Sequence, residues 1–378
     1  MSWPADASKL ERVRALMEEQ GLDTLVVRAP DNVLYLTNFW GMKGYDACVF
    51  PREGEPVLVC LEASAEDAAR TAWTQDVRYV RGYDAVDPRP VPARTLEAAV
   101  AASSGRVGLE LSLGTQASDR MVGEPTTFTK AWFDAFPDAV DAAPLLAQAR
   151  AIKTEQEVAR IRIANEIAAA AMEHVRGLLE PGMPESEAAA IWQAHVHGQG
   201  TARTDVELAL PFSLVWAGKG IKTFTATSDL PVSEGEPVLF EIWVCADGYW
   251  ADHTKNLVVA QLRDDYRELL DRLMLVYDDA LAFIRPGASM AELDLLVRDG
   301  LGYSPSHPIC HGVGARAHEP PYPHQAGGGT FEEGMVLAVE PGVYWDGGGG
   351  LRVEDNFLVT AAGLEKLSPF PDGVVACR

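Results

Sequence analysis

EIWVCADGYWAD, Glu241 to Asp252, carries a carboxylate at each end, apolar and aromatic residues between them, and an Ala-Asp-Gly turn signal in the middle. It reads as a buried hairpin closed by two acids. A buried carboxylate is costly unless it is paired or holds a cation. Cross-strand partners in a hairpin share a face, so a turn centred between Ala246 and Asp247 sets Glu241 opposite Asp252. A second hairpin is written in MVLAVEPGVYW and LRVEDNFLVT on either side of Gly347–Gly350. If its turn centres on Gly347, Glu340 faces Glu354. Single acids near strand ends ordinarily face solvent. Two such pairs inside apolar runs such as VLFEIWV and VLAVEPGV instead point to a shared interior site, where four ionised carboxylates repel and call for metal cations.

The nitrogen partner for such a site lies in CHGVGARAHEPP, which supplies His311 and His318 among glycines that let the backbone come close. An oxygen-rich set with one imidazole suits Mn, Co, Fe or Zn, and bridging carboxylates leave room for two ions. Two ions about 3.5–4 Å apart would hold a hydroxide between them and polarise a carbonyl, which is hydrolytic machinery.

The rest of the chain bounds the reading. Its 378 residues suffice for two domains, with 47% apolar and 23% charged residues. The net charge of -23 argues against nucleic acid and an anionic membrane surface as partners. Cys48, Cys60, Cys245, Cys310 and Cys377 form no CxxC, as free thiols in a reducing compartment do. No signal peptide or membrane-length apolar run is seen, so the expected location is the cytoplasm.

SKLE at Ser8–Glu11 has capping-box spacing and opens a helix ending near Gly21. TLVVRA follows as a strand, DNVLYLTNFWG as a strand or turn, and CVFPREGEPVLVCLE as a hairpin. Helices and strands alternate to about Leu146, the pattern of a mixed α/β domain. A long helix runs from Ile152 to the Pro181-Gly182 stop, and helices over Glu185–His195, Asp264–Ile284 and Ser289–Gly300 are interleaved with strands. The expected boundary divides residues 1–149 from residues 150–378.

Over Ile152 to Thr360 the sequence resembles the M24 metallopeptidases, the creatinase, prolidase and methionine aminopeptidase group. Glu241, Asp252, His311, Glu340 and Glu354 stand where that family places Asp, Asp, His, Glu and Glu ligands. GYWAD, HGVGARAHE, EPGVY and RVED match its motifs. NVLYLTNFWG and the preceding α/β segments look like the N-terminal domain of creatinases and Xaa-Pro dipeptidases. The resemblance implies an α/β (α+β) chain with a small creatinase-like N-terminal domain and a C-terminal pita-bread catalytic domain. It implies two divalent ions, Mn first and Co, Zn or Fe as the other candidates, and a homodimer. Glu340 would be ligand and general base, His318 would bind substrate or the oxyanion, and Arg352 would contact substrate or a ligand; an exposed strand arginine is the simpler reading of Arg352.

Three departures stand beside the match. Glu241 is a methylene longer than the family's aspartate, and metal–ligand distances are held to about 0.2 Å. GKGIKTFTATSD carries no histidine near Thr223 and Phe224, where the family has one facing substrate. DHTKN places Lys255 and Asn256 where Arg and Thr are usual, with His253 turned to the opposite face from Asp252. His307 and His324 read equally as pocket lining or surface, and His195 and His197 as non-catalytic. Trp40, Trp216 and Trp243 are candidate pocket walls, core being the commoner place for tryptophan. The readings to be weighed are a metal-dependent Xaa-Pro dipeptidase, a creatinase-like hydrolase or lyase of a small non-peptide molecule with or without metal, and a non-catalytic peptide-binding module.

Overall fold

The computed structural model describes residues 3–41, 45–82, 84–111, 126–223, 225–345 and 349–378; Phe224 and the start of the glycine run lie outside the described residues. Contacts divide the chain into Met1–Arg150 and Ala151–Arg378. In the first unit α1 (Ala7–Glu19) starts at Asp6, whose carboxylate accepts from the Lys9 amide at 3.2 Å. Asp6 thus takes the cap expected of Ser8, and the Ser8 hydroxyl donates to it at 2.9 Å. There follow β1 (Thr24–Val27), α2 (Pro30–Thr37), β2 (Ala47–Pro51), β3 (Val57–Leu61), α3 (Ala65–Thr71), β4 (Asp76–Val80), α4 (Val91–Ala102), β5 (Val107–Leu109), α5 (Thr126–Ala135), β6 (Val140–Asp141) and α6 (Ala143–Ala151). The strands form one mixed sheet in the order β4-β3-β2-β1-β5-β6, and β2–β3 is the expected hairpin. DNVLYLT, expected as strand or turn, is helical instead. Pro30 presets its first turn, and Asn38 closes it in the left-handed region at φ 59°.

The second unit opens with α7 (Glu155–Arg176), capped by reciprocal bonds between Thr154 and Glu157. After it come α8 (Glu185–His195), β7 (Ala209–Ala217), β8 (Pro237–Ala246), β9 (Tyr249–Val258), α9 (Asp264–Phe283), α10 (Met290–Leu301), β10 (Cys310–Gly312), β11 (Val336–Val339), β12 (Gly342–Trp345), β13 (Gly349–Arg352), β14 (Asp355–Thr360), β15 (Gly363–Lys366) and β16 (Val374–Ala376). One four-stranded sheet runs β16-β9-β8-β7, a second β10-β11-β14-β15, and β12–β13 form a ribbon.

Alternation along these strands fixes which side chains face which way. Phe240, Ile242 and Val244 of β8 and Ala251 and Leu257 of β9 pack on Ala168, Met172 and Trp192 of α7 and α8. Glu241, Trp243, Asp252 and Thr254 therefore share the other face. In the second sheet Leu337, Val339, Phe357 and Val359 pack on Tyr277, Leu293 and Val297 of α9 and α10. Ala338 and Asn356 are left on the opposite face, with Glu354 two residues before Asn356. Burying an aromatic or aliphatic side chain contributes about 1.5–3 kcal/mol, so these two apolar faces hold the polar one in place.

The register of β8–β9 corrects the sequence reading. Asp247 and Gly248 both have positive φ, 47° and 87°, so the turn centres between them. Glu241 pairs with Thr254, and Asp252 with Trp243. The partner differs by two residues, which leaves every side chain on its expected face. In the second hairpin Val339 pairs with Asp355 and Gly342 with Arg352, a register that sets Glu340 across from Glu354, as expected.

Candidate functional site

The two sheets meet where β9, on its side away from β8, bridges Glu354 through Thr254. This produces two neighbouring cross-strand rows on the polar face. One runs Glu241–Thr254–Glu354 and continues in register to Glu340. The other runs Trp243–Asp252, then through Asn356 to Ala338 and His311. Between Asp252 and Asn356 a side chain completes the ladder. The Asn356 carboxamide accepts from the Asp252 amide at 3.0 Å and donates to the Asp252 carbonyl at 2.8 Å.

Sequence-distant acids are thereby brought round one imidazole. His311 Nε2 lies 3.4 Å from Glu340, 3.6 Å from Asp252 and 4.0 Å from Glu354. Its Nδ1 is 3.0 Å from the Gly312 carbonyl, a bond that directs Nε2 at the carboxylates. His318 Nε2 stands 3.4 Å from Asp252 with its side chain 22% exposed, so it reaches the mouth of the site. Thr254 donates to Glu354 at 2.7 Å.

Burial and the neighbouring Glu340 push the Glu354 carboxyl up to about 7. Burial acts the same way on Glu340, but His307, His311 and His318 outweigh it and its net shift is downward. Such a set, hard oxygens with one imidazole and like charges crowded together, fits a divalent transition ion. The ligand atoms of His311–Glu340–Glu354 lie within 4.8 Å of one another, as do those of Glu241–Asp252–Glu354 and Asp252–His311–His318.

Two further residues lie buried at the site. Arg352 is 3% exposed rather than a surface arginine. Its Nε donates to Thr254 at 2.6 Å, its Nη1 to the Tyr344 hydroxyl at 3.0 Å, and its Nη2 forms an ion pair with Glu241. His307 is buried, its Nδ1 3.2 Å from Glu340 and its Nε2 3.2 Å from Tyr344. Parity with Glu354 would have placed Arg352 on the site face, whereas no periodic pattern marks His307. His324 is exposed, and His195 stacks on His174 at 4.4 Å. His253 lies on the helix side, 2.7 Å from Asn165. Trp216 is core with Ile221 and Leu239. Trp243 stands at the site, 6.4 Å from the His318 ring and 5.1 Å from that of Phe212.

Comparison with known proteins places both halves of the chain. Residues 159–361 match the metallopeptidase family M24 model, and residues 9–152 match that of the creatinase/prolidase N-terminal domain. The chain is 27% identical over 376 residues to the Xaa-Pro dipeptidase of Lactobacillus delbrueckii subsp. lactis, covering 94% of this chain and 95% of that protein. It is 25% identical to the peptidase YqhT of Bacillus subtilis over 97% of this chain and 99% of the other. In fold it resembles the Xaa-Pro dipeptidase from Bacillus anthracis, with a TM-score of 0.80 at 22% identity over 98% and 99% of the two chains. A prolidase from Thermococcus sibiricus gives a TM-score of 0.81 at 17% identity over 99% and 100%. Among the described residues no helix is long and apolar enough to cross a membrane.

Proposed function

The chain belongs to metallopeptidase family M24, and from that premise we propose that it hydrolyses Xaa-Pro dipeptides at a divalent-metal centre built on Asp252, His311, Glu340 and Glu354. The observation that carries this reading is the buried convergence of those three carboxylates on His311 Nε2, within 3.4–4.0 Å. A divalent ion at these side chains would supply a polarised carbonyl and a water of lowered pKa.

The chain's own residues do the rest. Glu340 is the general base, taking a proton from the attacking water and delivering it to the prolyl nitrogen as the bond breaks. His307, at 3.2 Å, holds one oxygen of that carboxylate and leaves the other toward His311. His318 at the mouth donates to the oxygen on which negative charge develops. Phe212 and Trp243, cross-strand partners next to Asp252, give the pocket an apolar wall beside the scissile bond.

A panel of Xaa-Pro and Xaa-Ala dipeptides, assayed after chelation and again with Mn supplied, tests the proposal. Cleavage confined to Xaa-Pro, lost with chelator and regained with Mn, is expected. No cleavage of any Xaa-Pro peptide at any metal loading overturns it. Trp243→Ala is expected to raise KM for Xaa-Pro about tenfold with a smaller change in kcat, the size of one aromatic contact. An unchanged KM removes Trp243 from the pocket. One observation favours a second reading, a creatinase-like hydrolase or lyase of a small non-peptide molecule. The Arg352 guanidinium sits among the acids against Glu241, a cation already in place where the family pattern implies a metal.

A further inference from the structure

We infer that this chain binds one divalent ion, at the His311–Glu340–Glu354 end of its acid cluster, and that the guanidinium of Arg352 occupies the Glu241 end in place of a second ion. The inference rests on the metal-centre reading above and sharpens it. Of the two adjoining groupings, His311–Glu340–Glu354 has an imidazole and Glu241–Asp252–Glu354 has carboxylates alone. The second grouping also has a cation of its own. Arg352 is held on three sides, by the Thr254 hydroxyl at 2.6 Å, the Tyr344 hydroxyl at 3.0 Å and the Glu241 carboxylate. Its carbonyl is fixed in turn by Asn256 Nδ2 at 2.7 Å.

A guanidinium so tethered cannot swing away when a metal arrives, and it does not lose its proton. A divalent ion placed on Glu241 would sit within a few ångströms of that charge in a low-dielectric interior, where like charges repel. The sequence explains why the carboxylate goes to the arginine. Glu241 has one methylene more than an aspartate, and its position opposite Thr254 in the β8–β9 ladder puts its end beside the Arg352 side chain. The extra reach that disturbs metal geometry is the reach that makes the ion pair.

The test is metal content rather than turnover. After saturation with Mn and dialysis, elemental analysis is expected to find one Mn per wild-type chain, and Mn electron paramagnetic resonance the signal of an isolated ion. Glu241→Asp, with a carboxylate too short to stay on the guanidinium, is expected to hold two, with the broadened spectrum of a coupled pair. Arg352→Gln is expected to do the same, and a thermal melt checks that it folds; if it does not, Glu241→Asp decides alone. Two ions or none in the wild type, or a Glu241→Asp protein that stays at one, overturns the inference. Two ions with Xaa-Pro cleavage would sink it and spare the dipeptidase reading. One ion without cleavage would do the reverse.

Discussion

Glu340→Gln lowers Xaa-Pro hydrolysis by about 10²–10⁴-fold, the range that general-base catalysis contributes, and leaves the thermal transition within a few degrees of wild type. Glutamine keeps the volume and planar shape of the side chain, so its place beside His307 and His311 is retained. It can neither take a proton from water nor carry a charge to a cation. The carboxylate it replaces is 6% exposed and touches both His311 at 3.4 Å and His307 at 3.2 Å. Measuring bound metal beside kcat separates the two roles assigned to Glu340. If it is only a ligand, restoring occupancy with excess Mn restores kcat. If it is also the base, kcat stays low with the site full. A variant within tenfold of wild type in kcat would show that the proton goes elsewhere.

Much of this site was legible in the sequence because strands alternate with a period of two. Glu241 and Asp252 fall on the face away from Phe240, Ile242 and Val244 whichever of two even-spaced registers the hairpin adopts. That is why a turn placed one residue early changed their partners and not their orientation. The Asp-Gly pair itself held the correction, since both residues sit at positive φ and must be the two central ones. DNVLYLT was ambiguous for a different reason: a short apolar run reads equally as buried helix or strand, and Pro30 and Asn38 decide it. Arg352 and Asn356 stand two residues either side of Glu354 and so share its face; of the two readings of Arg352, contact with substrate or a ligand and exposure on a strand, parity favours the first. His307 was not legible in the same way. It lies in SPSHPIC, outside any regular element, and reaches Glu340 only because β10 and β11 pair. The meeting of β9 with Glu354 is equally a property of the folded sheets, with no local pattern to announce it.

Behind the site, Asp355→Leu is expected to cost about 3–5 kcal/mol of stability, the usual penalty for removing one partner of a buried ion pair. Asp355 is fully buried and takes the ammonium groups of Lys255 and of Lys366, the latter at 2.8 Å. Lys255 is 2% exposed, and its Nζ also donates to the Glu354 carbonyl at 3.2 Å. Burial already holds Lys255 below its ordinary range, with Asp355 the main opposing influence. Without that carboxylate the ammonium is left in the interior with only the more distant Asp372, 4.0 Å away. Lys255→Met is the milder change, because Asp355 keeps Lys366 as its partner and the thioether fills most of the lost volume. The double variant Asp355→Leu with Lys255→Met is therefore expected to be more stable than Asp355→Leu alone, which a denaturant titration of the three proteins would read directly. Additivity of the two single losses would show that the pair is not coupled. A coupled pair explains how Lys255 serves in DHTKN, where the family usually has arginine: one carboxylate shared by two lysines anchors the residue next to Glu354 and, through the Glu354 carbonyl, the strand that carries it to the centre.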